Sequence, residues 1–356
     1  MVYDPIYDPL ITFEENYSRG PGGEYARAPV YKNTGEPAHL LFGTKVYAPF
    51  GVAAGPLFNS RFVKAAYDRG YDVAVYKTVR TAEKKCAPFP NIVPLRIKGP
   101  LTLDVAQSSG VVMAQEYSEP LAITNSFGVP SQSPDVWQPD MKKAVEMTGQ
   151  GQLMIGAFQG TNGGAGESAF IKDHAECARL VQETGVRIYE VNTSCPNEGT
   201  TNLLCFDTDR MQKIVHAIKD VIGNDPLIVK VAYFQDDTQL RLLLQEIGTY
   251  IEGIAAINTI GAKVYKPDGS QALPGEGRLW AGVCGAPIKW AGIDMVARLK
   301  NIREEEGYQY RIIGVGGVTT PEDYIEYQNA GADCVLSATG MMWNPYLAES
   351  IKRGLK

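Results

Sequence analysis

Along most of the chain, short apolar runs take turns with segments of helical period, and this alternation narrows the fold before any single motif is considered. Runs at residues 52–54, 73–78, 153–158, 188–192, 227–231, 254–259, 311–314 and 334–336 are apolar at successive positions. They lack the in–out alternation of a half-solvated strand, so they read as strands of a parallel sheet buried on both faces. Between them the period changes to 3.6. Met211, Ile214, Val215, Ile218 and Val221 form one stripe, and Leu240, Leu243, Leu244, Ile247 and Ile251 form another. Each stripe buries one helix face against the sheet and leaves charges outside. Thr320 before Pro321 and Asn344 before Pro345 read as helix N-caps followed by a first-turn proline. Eight strands with interleaved helices predict an α/β protein, a closed (β/α)8 TIM barrel. A doubly wound open sheet is the alternative, but such sheets rarely need eight regular units. A barrel takes roughly 250 residues and can exceed 400 with insertions, so 356 residues fit one barrel with additions as well as two smaller domains.

Residues 1–45 carry Tyr3, Tyr7, Tyr17, Tyr25 and Tyr31 among glycines and prolines, with no sustained helical period. They read as an extended N-terminal arm lying on the domain or on a partner subunit, and equally as a partly ordered terminus. The barrel then takes 46–356. Residues 83–128, with Pro88, Pro90, Pro94 and Pro100, read as an insertion with a hairpin after the second strand, and 260–286 form a second long connection, rich in glycine. Connections of this length are often functional. The net charge of −6 is spread along the chain, which argues against a nucleic-acid or anionic-membrane partner. No apolar run approaches the ~18 residues of a membrane span, and the opening around Asp4 and Pro5 is not a secretion signal. The six cysteines form no CxxC pair, so reduced thiols in the cytoplasm are expected. With only His39, His174 and His216 available, a histidine-built metal site is not expected.

In a barrel, chemistry sits at the C-terminal ends of the strands. Those ends carry Lys77-Thr78, Asn192-Thr193-Ser194-Cys195-Pro196-Asn197, Lys230, Asn258-Thr259, Gly314-Val315-Gly316-Gly317 and Ala338-Thr339-Gly340, with Asn125-Ser126-Phe127-Gly128-Val129-Pro130 ahead of the third unit. Gly316-Gly317 before the helix start at Thr320 suits a phosphate, since helix N-termini offer free N–H groups, although tight turns also use glycine for sterics alone. Lysine is almost never buried unpaired. Lys77 and Lys230 therefore either form structural salt bridges or meet anions, such as a reduced flavin or a carboxylate substrate. Asn125, Asn192, Asn197 and Asn258 offer paired donors and acceptors that match a cyclic imide; capping and turn formation are the commoner roles of a single asparagine. Cys177 and His174 share a helix face with Phe170 and read as packing, as does Cys334. Cys195 differs, because it lies in a polar loop. A free thiol with pKa ~8.5 there is base, nucleophile or bystander.

Taken together, these residues resemble the dihydroorotate dehydrogenase family. The segment from Asn192 to Asn197 is similar to its N-[L/T]-S-[C/S]-P-N motif, and cysteine in the fourth place resembles the soluble class 1. Asn125 to Pro130 is similar to its substrate loop. The resemblance runs from about residue 46 to 350. It implies FMN as cofactor and oxidation of dihydroorotate to orotate. Cys195 would take a proton from C5, and the C6 hydride would pass to flavin N5. Lys77 would contact flavin and pair with the substrate carboxylate, helped by the N–H groups of Phe127, Gly128 and Val129. Asn125, Asn192, Asn197, Asn258 and Thr259 would hold the substrate ring. Ala54 and Gly55 would lie under the flavin ring, with Thr78, Asn192 and Ile257 among the flavin contacts. Lys230 would stabilise charge on the reduced flavin, and Gly285, Gly316, Gly317, Ala338 and Thr339 would hold its phosphate. Ala338 stands where the family often has glycine. The paired amphipathic helices of quinone-using members are not evident, so fumarate or an electron-transfer subunit is the expected acceptor, in a homodimer. Two alternatives stay open: a related enzyme acting on dihydrouracil, and a flavin-binding barrel without catalysis.

Overall fold

The computed structural model describes residues 3–194 and 203–355. Eight parallel strands close a barrel: β1 (Phe50–Val52), β2 (Val73–Val79), β3 (Leu153–Phe158), β4 (Tyr189–Asn192), β5 (Leu227–Val231), β6 (Gly253–Ala256), β7 (Arg311–Val315) and β8 (Cys334–Ser337). They follow one another round the barrel in chain order, β8 pairing with β1. Every barrel strand lies close to its expected run. The two that differ most are β1, which starts two residues early, and β6, which ends at Ala256 rather than at 259. The chain past β6 stays tied to both neighbours: Ile257 N–H donates to Val315 O at 2.7 Å and Asn258 N–H to Val231 O at 3.0 Å. That tether holds Asn258 at the mouth.

Two apolar layers explain why the strands are apolar throughout. Val73, Val75, Leu153, Ile155, Ile228, Ile313 and Leu336 pack inside the cylinder. Tyr189, Val191, Leu227 and Val229 face outward to the helices. Helix Thr208–Ile222 buries Met211, Ile214, Val215, Ile218 and Ile222. The last of these replaces the expected Val221, which is half-buried. Eleven residues past Met211 is close to three turns, whereas ten falls about a fifth of a turn short. Each fully buried aliphatic side chain contributes roughly 1.5–3 kcal/mol. Helix Asp237–Ile247 buries Leu240, Leu243, Leu244 and Ile247, and Ile251 is buried just beyond its end. Thr320 caps helix Pro321–Ala330 in a reciprocal box with Asp323. Asn344 departs from its expected role. It closes helix Thr339–Trp343, and the next helix, Leu347–Gly354, begins after Tyr346. Its Oδ1 accepts from Tyr346 N–H at 3.0 Å, which makes it the start of the intervening turn.

The N-terminal region is not an extended arm. It forms helices Phe13–Arg19 and Gly23–Arg27, then an antiparallel hairpin of His39–Leu41 with Thr44–Val46. Leu41 and Val46 of the hairpin join the inner core and plug the barrel floor. Helices of seven and five residues are too short for a 3.6 period to emerge, yet Thr12 and Glu15 form a capping box whose Thr-x-x-Glu spacing is visible in the sequence. The two long connections share one structure. Leu95–Arg96 pairs antiparallel with Val111–Met113, the expected hairpin. Ile260–Tyr265, Trp280–Gly285 and Ala122–Asn125 complete a five-stranded sheet over the barrel mouth, with Gly282 opposite Asn125. Among the described residues, no helix is long and apolar enough to cross a membrane.

Candidate active site

At the C-terminal ends of the strands lies a cleft with about 830 Å³ of space not filled by protein, reaching out to solvent. Ala54, Gly55, Lys77, Thr78, Asn125, Phe127, Gly128, Val129, Asn192, Lys230, Asn258, Thr259, Ala338 and Thr339 border it. Cys195 and Asn197 lie outside the described residues. Ile257, Gly285, Gly316 and Gly317 do not border the cleft. Ile257 is fully buried. The three glycines have packing reasons of their own. A Cβ on Gly285 would sit 2.1 Å from Leu121 O and one on Gly317 2.7 Å from Lys289 Cβ, both at positive φ. Gly316, at φ +128°, also takes a conformation that side chains avoid.

Two cations face this cleft from inside the barrel wall. Lys77 follows Val73, Ala74, Val75 and Tyr76 on β2 and is 9% exposed; Lys230 on β5 is 5% exposed and stands opposite Asn192 in the strand register. Around them runs a network of amides and hydroxyls. Asn192 Nδ2 donates to Gln159 Oε1 at 2.9 Å. Its Oδ1 accepts from Asn258 Nδ2 at 3.2 Å. Asn258 Nδ2 also donates to Ser194 Oγ at 3.1 Å, and Ser194 Oγ–H donates to Lys230 O at 3.2 Å. Both carboxamides are thereby fixed in orientation, a requirement for reading a ligand's donor and acceptor pattern. Thr259 Oγ1 is buried, and among the described residues no partner reaches it.

The loop from Asn125 to Ser131 is shaped by residues that sequence reasoning missed. Gly128 and Val129 take φ +76° and +51° in succession, and the second is unusual for a β-branched residue. The wholly buried Arg80 holds it there: Nε donates to Val129 O at 3.1 Å, while Nη1 donates to Gly160 O at 3.1 Å and to Thr161 Oγ1 at 3.0 Å. Arg278, from the second long connection, donates to Ser126 O at 2.9 Å. Asn91 Nδ2 reaches Ser126 O as well, at 3.1 Å. Tyr7 from the N-terminal region and Met342 also wall the cleft, with Tyr7 Oη donating to Met342 Sδ at 3.2 Å. Cys284 borders the cleft beside Thr339, and burial pushes its thiol up to about 12. Burial does the same to Cys86, also up to about 12, against a smaller opposing pull from Lys77 and Arg278. Neither is a thiolate near neutrality. Arg80, two residues past Thr78, and Gln159, directly after the run 153–158, stood in readable places at strand ends. Tyr7, which borders the cleft, and Arg278, which holds Ser126, come in through tertiary contacts without a local signature.

Fold and cleft together define an α/β barrel with a polar, lysine-bearing cleft at the strand C-termini, where enzymes of this architecture hold their sites. Residues 38–356 match the family model described as dihydroorotate dehydrogenase. The chain is 34% identical over 355 residues to dihydroorotate dehydrogenase of Dictyostelium discoideum, covering 97% of this chain and 95% of the relative. It is also 26% identical over 321 residues to a dihydroorotate dehydrogenase (quinone) of Acidovorax ebreus, covering 86% and 81% of the two chains. Against the catalytic subunit of dihydroorotate dehydrogenase B (NAD(+)) of Oceanobacillus iheyensis, identity is 31% over 177 residues, 49% of this chain and 55% of the relative. The ligand-free DHODH crystal structure from Eimeria tenella shares the fold, with TM-score 0.71 at 19% identity over 93% of this chain and 91% of that one. The chain belongs to the dihydroorotate dehydrogenase family, and so to the oxidoreductases that act on a CH–CH bond.

Proposed function

We propose that the protein oxidises dihydroorotate to orotate in pyrimidine biosynthesis, with FMN as its resident cofactor. The observation that carries this reading is the meeting of two buried lysines and an oriented carboxamide network at one cleft. The residues present suit a flavin. At Gly55, φ is +154° and a Cβ would meet nothing within 4 Å, which leaves a bare backbone surface on which a flat ring can lie. Ala54 beside it adds little bulk. Thr259 Oγ1 offers an unused hydrogen-bonding group. Thr78, Asn192 and Ile257 complete the proposed ring contacts, with Gly285, Gly316, Gly317, Ala338 and Thr339 toward the phosphate. Gly285, Gly316 and Gly317 also have steric reasons to be glycine.

FMN, when bound, supplies the acceptor for the hydride leaving C6. The chain's own residues do the rest. Lys77 pairs with the substrate carboxylate, and the N–H groups of Phe127, Gly128 and Val129 add donors to it. Asn125, Asn192, Asn197, Asn258 and Thr259 hold the ring, and a ligand lacking its imide groups would leave these amides unpaired at a cost. Cys195 takes the C5 proton. The C5–H electron pair becomes the new C5=C6 bond as the C6 hydride departs, so the two steps balance. Lys230 offsets negative charge on the reduced cofactor. Fumarate, or an electron-transfer partner, then takes the electrons, and a homodimer is the proposed assembly. The test is an anaerobic titration. The purified yellow protein should bleach on addition of dihydroorotate and not with dihydrouracil. A yellow protein that dihydroorotate fails to bleach overturns the reading.

A further inference from the structure

Directly beneath the cleft lies a carboxyl group for which the proposed chemistry has no use. Glu190 is 0% exposed, and among the described residues no donor reaches either of its carboxyl oxygens. Its strand β4 alternates: Tyr189 and Val191 face the helices, Ile188 packs inside the cylinder, and Asn192 borders the cleft. Glu190 therefore points into the barrel, one layer below Asn192. On the flanking strands it stands opposite Ala157 and Ile228, neither of which titrates. The other titratable side chains on the inner wall, among the described residues, are Lys77, Lys230 and Cys334. Burial drives the Cys334 thiol far up, so it carries no charge. A carboxylate buried away from solvent and from donors is among the most costly groups to bury, and such groups stay protonated instead.

We propose that Glu190 is kept as a neutral acid under the cleft floor, and that its proton leaves the charge of Lys230 free to face an anionic ligand. This inference rests on the flavin reading above. Glu190 is a positioning residue: it acts on the ligand through Lys230. Were it ionised, its negative charge would offset the ammonium from behind, and the positive potential at the cleft would fall. Burial raises its pKa, and Lys230 opposes that only in part. The sign follows. A carboxyl whose pKa rises on folding contributes stability below its unfolded pKa, near 4.5, and that stability is lost as pH rises through the folded value. In the same upper range the cleft loses affinity for an anion.

The test compares wild type with Glu190→Gln, which keeps the shape and cannot ionise, and with Glu190→Leu as a second uncharged variant should glutamine impair folding. Infrared spectra of the flavin-loaded wild type at neutral pH should contain the carbonyl band of a protonated carboxylic acid, absent from either variant. Spectroelectrochemical titration of the bound flavin with rising pH should show a downward break in wild type that the variants lose. Breaks from the flavin's own groups remain in all three. Melting temperatures of the proteins should fall with pH above about 4.5 in wild type relative to the variants. An unchanged infrared spectrum, or the same break in every protein, overturns the proposal. Failure of dihydroorotate to bleach the flavin would overturn the functional reading instead, leaving the infrared result to stand on its own.

Discussion

Removing the guanidinium of Arg80, which does not itself meet substrate, should loosen substrate binding by releasing Val129. Arg80→Met keeps an unbranched side chain of similar reach and deletes its donors. In the folded protein, Arg80 Nε is the side-chain donor that holds Val129 O, at 3.1 Å. A charge-assisted hydrogen bond is worth about 1.5–3 kcal/mol. The left-handed backbone of Val129, at φ +51°, costs roughly 1–2 kcal/mol for a residue with a Cβ. The bond thus outweighs the strain while it lasts. Once it is gone, the binding form of the loop lies about 1–2 kcal/mol uphill. Apparent Kd then rises by the inverse of the competent fraction, about 5- to 30-fold. Global stability should change less than the loss of its hydrogen bonds suggests, because the variant no longer buries a cation. The assay is anaerobic titration with orotate, followed by stopped-flow flavin reduction at saturating dihydroorotate. Weaker binding with a limiting rate close to wild type is the expected outcome. Unchanged orotate affinity would refute the loop-holding role, and an equal fall in rate and affinity would show a general disturbance of the cleft.

Three further outcomes are expected. Cys195→Ser should slow flavin reduction most at neutral pH, since a hydroxyl is a far poorer base than a thiol; an unchanged stopped-flow rate removes Cys195 from that role. Lys77→Ala should impair reduction by dihydroorotate and weaken FMN retention, read by ultrafiltration of bound flavin; full retention with normal orotate affinity discards its assignment. Lys352→Met should lower stability by about 3–5 kcal/mol, because it strands the fully buried Asp72, whose Oδ1 is 2.6 Å from Lys352 Nζ. Urea unfolding measures this, and a loss under 1 kcal/mol would mean that the pair does not hold the C-terminal helix to the barrel.

Legibility in the sequence divides along physical lines. The barrel was readable because each strand is buried on both faces, and Val73, Val75 and Leu153 inside have Val191 and Val229 as counterparts outside. Lys77 and Lys230 stood out for the same reason: a lysine within an apolar run needs a cause. The short helices Phe13–Arg19 and Gly23–Arg27 were hidden, since neither spans enough turns to show a period. The sheet over the mouth was hidden for another reason. Its strands come from connections more than a hundred residues apart, as in the pairing of Asn125 with Gly282, and nothing local announces such a pairing. Arg278 belongs to that second kind, whereas Arg80 stood just past an apolar strand. Their importance lies in the carbonyls that they hold at Val129 and Ser126. The glycines at 285, 316 and 317 show the opposite hazard, because a residue required by packing looks the same in sequence as one required by a ligand.

The most direct measurement is a crystal structure of the protein with FMN and orotate. The orotate carboxylate should lie against Lys77 and the 127–129 backbone, with its ring held by the amides of Asn125, Asn192, Asn197 and Asn258 and with Cys195 Sγ near C5. Orotate bound elsewhere, or bound with Cys195 turned away from the ring and no flavin between it and Lys230, would contradict the account.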